Sequence, residues 1–145
     1  MRIMAVDYGD VRTGIAVSDE TLSLTGDAWV TSSRNEDNVI GIITDEAVKR
    51  GVSTIVIGYP KNMDGTIGPR AEKSERLAGS LREACNRSSS QNIEVILRDE
   101  RLTTLSAQRV LNEAGKFGKK RKKTIDAVAA SLILEDYLVF INKKK

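Results

Sequence analysis

Apolar residues open the chain in short β-like blocks. Ile3–Asp7, Gly14–Ser18 and Ala28–Thr31 are joined by brief links carrying Gly, Asp and Ser, which suits an antiparallel meander. The period then changes. In "SSRNEDNVIGIITDEAVKRG" Val39, Ile42, Ile43 and Ala47 recur on one helical face, and Gly51 suits the position beyond the helix end. Ser33 followed by Glu36 reads as a capping box.

"STIVIGYP" is a β-branched run bounded by Gly58 and Pro60, expected as a buried strand parallel to the first. After the polar loop "KNMDGTIG", Pro69 stands where a helix begins, and Leu77, Ala78, Leu81 and Cys85 form its apolar stripe. "IEVIL" gives a further strand, ending in Arg98, Asp99 and Glu100. "TTLSAQRVLNEAG" predicts a third helix. A last helix is expected from about Thr124, with Ile125, Val128, Ala129 and Leu132 on one face and Ile133 and Tyr137 extending it. The order β-β-β-α-β-α-β-α-α predicts one α/β domain over residues 1–145. Its mixed five-stranded sheet, a meander plus two parallel strands, carries helices on both faces.

Composition narrows the chemistry. The chain has no histidine and one cysteine, Cys85, among 145 residues. Ser-His-Asp and Cys-His catalysis are therefore excluded, as is a zinc site on paired cysteines. Any bound metal is a hard cation on oxygen ligands. No apolar run nears the ~20 residues of a bilayer span, and "MRIMAVDYG" lacks a signal-peptide shape, so a cytoplasmic location is expected. The net charge of +3 is uneven: "KFGKKRKK" holds six basic residues in eight, which suits phosphate-rich partners or a solvated loop equally.

Three carboxylates deserve placement. Asp7 ends the first strand, Glu100 follows the last, and Asp126 falls in the expected first turn of the last helix. Parallel strands would bring Asp7 and Glu100 to one sheet edge, where open α/β folds bind ligands, and the last helix can start near it. Three clustered carboxylates repel unless cations join them, which fits Mg²⁺ or Mn²⁺ acting on a phosphodiester. Each also has a plain reading. Asp126 complements a helix dipole, Glu100 pairs with Arg98 or Arg101, and Asp7 forms a turn.

Four stretches add a resemblance. "MRIMAVDYGDVRTGIAVSD", "IVIGYPKNMDGTIGPRAEK", "RDERLTTLSAQRVLNEAG" and "KKRKKTIDAVAASLILEDYL" resemble the YqgF family in order and spacing, over nearly the whole chain. That family comprises candidate pre-16S rRNA nucleases and Holliday junction resolvase-like proteins. The resemblance implies an RNase H-like three-layer α/β/α fold and metal-dependent phosphodiester hydrolysis. It matches Asp7, Glu100 and Asp126 to the family's three acidic residues, as catalytic groups and as ligands of Mg²⁺ or Mn²⁺. Asp10 stands where small or basic residues also occur in the family, so it receives no metal role.

The same resemblance implies structured nucleic acid as partner, precursor ribosomal RNA first, bound by a monomer or homodimer away from any membrane. Arg101, Thr103 and Thr104 share the "DER" motif, and Asn62, Asp64, Gly65 and Arg70 match a substrate-facing loop. Arg12 and the run Lys119, Lys120, Arg121, Lys122 and Lys123 complete the expected nucleic-acid contacts. The expected activity is maturation of the 5′ end of 16S rRNA. Alternatives are resolution of four-way DNA junctions and a non-catalytic nucleic-acid-binding role in transcription. "DYGDVRTG" also resembles the first phosphate loop of actin-like ATPases and sugar kinases, whose two-domain clefts need a longer chain.

Overall fold

β1 shows why the sheet needs a cover on each face. Ile3 and Ala5 face one side and Met4 and Val6 the other, and all four are buried. The computed structural model describes residues 1–62, 64–88, 92–99 and 119–143, with backbone alone at 88 and over 119–126. Among them run β1 (Arg2–Asp7), β2 (Arg12–Ser18), β3 (Thr25–Ser32), α1 (Glu36–Lys49), β4 (Val52–Tyr59), α2 (Pro69–Ser88), β5 (Glu94–Asp99) and α3 (Lys119–Lys143). The sheet order is β3-β2-β1-β4-β5. β1–β2 and β2–β3 pair antiparallel, while β1–β4 and β4–β5 pair parallel, as the hydrophobic pattern predicts.

Met4, Val6, Ile15, Ile55 and Ile57 pack under α1 and α2 with Ile43, Leu77, Leu81 and Cys85. Ile3, Ala5, Ala16 and Val56 pack under α3 with Ala130, Ile133, Leu134 and Leu138. The result is the expected three-layer α/β/α arrangement. Burial leaves Cys85 a core residue, with its thiol pKa pushed up by desolvation.

Several boundaries differ from the sequence reading. The cap of α1 is Asn35, whose side chain accepts the Asn38 N–H at 3.2 Å. Ser33 instead bonds the Asn35 backbone, so no Ser33–Glu36 capping box forms. β3 begins at Thr25 because its ladder with β2 carries it through polar residues, and Asp27 meets Arg50 at 3.2 Å. α3 begins at Lys119 rather than near Thr124. Lys and Arg are good helix formers, so the basic run continues the helix instead of preceding it. The buried stripe of α3 is Ala130, Ile133, Leu134 and Leu138, while Val128, Ala129 and Leu132 are only half-buried. Two adjacent stripes of this helix are apolar, and contact with the sheet selects one. The expected helix over "TTLSAQRVLNEAG" lies outside the described residues.

Candidate active site

β1, β4 and β5 run parallel, so their carboxyl ends share one edge of the sheet. Asp7 is the last residue of β1, half-buried, and is paired with Gly14 of β2. Alternation along the strand puts it on the face that α3 covers, with Ile3 and Ala5. Gly14 shares that face with Ala16. The register Val6↔Ile57↔Leu97 then brings Gly58 and Arg98 next in line on β4 and β5. Asp7 thus stands between two strand positions that carry no side chain.

Backbone crowding fixes the loop after Asp7. A Cβ on Gly9 would lie 2.3 Å from the Arg12 carbonyl oxygen, closer than any side chain tolerates. Asp10 is exposed and bonded to Lys73 of α2, which holds its carboxyl below the usual carboxylate range, with Arg70 adding to the effect. Arg12 opens β2 at the same edge.

The loop leaving β4 is a tight polar turn at this edge. Asn62 N–H donates to the Thr66 carbonyl at 2.9 Å, and Gly65 N–H to the Asn62 carbonyl at 2.8 Å. Asp64 Oδ1 accepts from Thr66 N–H at 2.9 Å, and Gly65 takes φ +89°. Asn62 in this loop and Arg70 in the first turn of α2 are both exposed. Tyr8 and Tyr59 lie on the opposite face, toward α1 and α2. Tyr59 is 9% exposed and its hydroxyl donates to Glu75, so it is a packing residue.

The three carboxylates are described to different extents. Glu100, Arg101, Thr103 and Thr104 lie outside the described residues, as do the side chains of Asp126 and of Lys119 to Lys123. The backbone of Asp126 lies in the third turn of α3, so the first-turn dipole reading is overturned. Asp126 stands four residues before the buried Ala130, a spacing that shares a helical face. Asn142 Nδ2 donates to the Leu22 carbonyl at 3.3 Å, in the β2–β3 turn at the edge opposite Asp7. Residue 126 is about 24 Å back along the helix, against about 20 Å for the length of β1. α3 is long enough to carry that backbone to the edge where Asp7 sits. Among the described residues no three acidic or thiol side chains form a metal cluster.

Sequence reasoning passed over Gly58, Lys73 and the Arg98–Asp136 pair. For Gly58 the signal was present, since strand alternation puts it on the face of Val56. The partners of Lys73 and Arg98 are distant in sequence, and no local pattern reveals them.

The family model described as RuvX, Holliday junction resolvase, matches residues 1–139. The chain belongs to this family. Its relatives include a protein of Geobacillus kaustophilus, 45% identical over 141 residues, covering 95% of this chain and 97% of that one. Another, from Halothermothrix orenii, is 43% identical over 143 residues and covers 99% and 98%. Both are named as candidate pre-16S rRNA nucleases. Among solved structures, the chain is similar to Thermus thermophilus RuvC bound to a Holliday junction, with TM-score 0.62, 13% identity and coverage of 97% and 96%. It is also similar to the Fowlpox virus resolvase bound to junction DNA, with TM-score 0.59, 15% identity and coverage of 97% and 99%. At those identities the likeness establishes the RNase H-like fold of this RuvX family member. The family is one of nucleases.

Proposed function

We propose that the carboxyl edge of the sheet is a hydrolytic site in which Asp7, Glu100 and Asp126 cut phosphodiester bonds of structured RNA, the 16S rRNA precursor first. The observation that carries this reading is Asp7 at the end of β1, on the face covered by α3 and flanked by Gly14 and Gly58. Three facts support the other two ligands. Glu100 follows directly on β5, which ends at the same edge. Asp126 lies on the helix that covers the same face, in the stripe of Ala130. The chain holds no histidine to serve instead.

An all-oxygen donor set of carboxylates fits Mg²⁺ or Mn²⁺. Such an ion, when bound, polarises the scissile phosphate and acidifies the attacking water. The chain's own part is to hold the carboxylates in place and leave space for the phosphate. The end of β1 holds Asp7, and the residues on either side of it in the sheet, Gly14 and Gly58, add no side chain there. Asn62, Arg70 and Arg12 border the edge and supply donors for phosphate oxygens. The names of the two curated relatives support the RNA reading.

Cleavage of four-way DNA junctions is the second reading, favoured by the family description and by the RuvC neighbour. Both use the same carboxylates. Incubating the protein with Mg²⁺ and either precursor 16S rRNA or a synthetic junction tests them together. Faster cleavage of the precursor at its 5′ end is expected. Preference for the junction overturns the RNA assignment, and no cleavage of either overturns the site.

A further inference from the structure

α2 begins with a mixed run, Pro69 to Arg76, in which the charges separate by helical position. Arg70, Lys73 and Arg76 recur at intervals of three and form a slanted basic ridge, while Glu72 and Glu75 fall on the neighbouring ridge. Glu75 is engaged by the Tyr59 hydroxyl. The basic ridge spans about 9 Å of helix and lines up with the loop that follows Asp7. Lys73 bonds Asp10, Arg70 acts on the same carboxyl, and Arg76 acts on Tyr8. Arg70 and Arg76 are exposed, and the Lys73 side chain is 41% exposed.

We propose that Arg70, Lys73 and Arg76 form a track for the sugar–phosphate backbone beside the site, and that Asp10 occupies Lys73 until a substrate phosphate displaces it. This rests on the reading of the protein as one that binds nucleic acid. The geometry favours it in two ways. The anion already held by Lys73 is a carboxylate on a loop, 72% exposed, a contact that solvent keeps weak and exchangeable. That loop leaves β1 at the sheet edge where Asp7 sits, so Lys73 borders this edge from the face that α2 covers. Exchange of one anion for another leaves the lysine neutralised in both states. Asp10 thereby discriminates against weak or isolated anions while a polyanion, held at several points, displaces it.

The test is binding without cleavage. A fluorescent RNA hairpin with a single-stranded flank is titrated in EDTA between 50 and 300 mM KCl. Lys73→Gln and Arg76→Gln are each expected to lower the log–log salt slope by about 0.7–0.9, one phosphate contact apiece. Asp10→Asn is expected to tighten binding about threefold at low salt, and to have no effect in a Lys73→Gln background. Unchanged slopes in both glutamine variants overturn the track. A gain from Asp10→Asn that persists without Lys73 overturns the displacement. Thermal melting of each variant checks that the fold is kept. Wild-type cleavage of precursor 16S rRNA and of a synthetic junction with Mn²⁺ separates the two ideas. Binding with the expected slopes but no cleavage of precursor 16S rRNA or of a synthetic junction sinks the proposed site alone, and cleavage with unaltered slopes sinks the track alone.

Discussion

Arg98 Nε donates to Asp136 Oδ2 at 2.7 Å, joining the edge strand β5 to α3 across 38 residues of chain. The guanidinium also stacks 4.5 Å from the Phe140 ring. Both partners are sheltered, with side chains 18% and 27% exposed. The pair therefore links the strand that leads into Glu100 with the helix that carries Asp126.

Breaking this link costs stability. Asp136→Ala leaves Arg98 sheltered without its anion, and a hydrogen bond to a charged group is worth about 1.5–3 kcal/mol. Urea unfolding is expected to show a loss in that range. A loss under about 0.5 kcal/mol would mean that Phe140 and solvent support Arg98 adequately alone.

Asp7 is expected to matter for activity far more than for folding. Asp7→Asn keeps the size of the side chain but removes the charge with which Asp7 would hold the proposed hard cation. With several kcal/mol of transition-state stabilisation at stake, Mg²⁺-dependent cleavage should fall at least about a hundredfold. The far-UV circular dichroism should not change. Glu100→Gln should behave alike, and full activity in either variant would remove that residue from the ligand set.

Two glycines test two different constraints. Gly51 takes φ +69° with open space around its missing Cβ, so Gly51→Ala should cost about 1–2 kcal/mol of backbone strain and leave cleavage intact. Gly9 has no such φ, but an added Cβ meets the Arg12 carbonyl at 2.3 Å. Gly9→Ala must displace the loop beside Asp7, and about 1–3 kcal/mol should be lost together with activity. Equal activity in the two variants would show that the loop after Asp7 is free to move.

Tyr59 sets an alkaline limit. Its hydrogen bond to Glu75, then burial and the charge of Glu75, raise its pKa from 10.0 to about 12. Between those values the unfolded chain has lost the phenol proton while the folded one retains it. Unfolding then releases a proton, so stability is full below pH 10 and declines as pH rises toward 12. Tyr59→Phe should flatten the melting temperature across that interval. An unchanged slope would assign the alkaline loss to other groups.

Much of the fold was legible because its signals are local. β1 and β4 are nearly continuous apolar blocks, the pattern of strands covered on both faces. Pro69 begins α2, and Gly51 follows α1 with the positive φ that a helix exit favours. The errors share a cause. Asn35, Ser33 and Glu36 all offer capping chemistry, and it is Asn35 whose extended backbone places its side chain on the Asn38 N–H. Thr25 to Asp27 look like loop until β2 lends them a ladder. Asp126 looked like a first-turn residue because basic residues before Thr124 carry no apolar period.

By itself, the sequence determined the element types, the two-faced burial of the central strands and the absence of any histidine chemistry. The first two follow from periodicity and side-chain volume in short stretches, the last from composition alone. Only the tertiary structure decided which groups meet. Gly58 comes beside Asp7 through a parallel register, Lys73 reaches Asp10 across 63 residues, and Arg98 reaches Asp136 across 38. Such pairings arise when whole faces are buried together, and that global packing is encoded in no single segment.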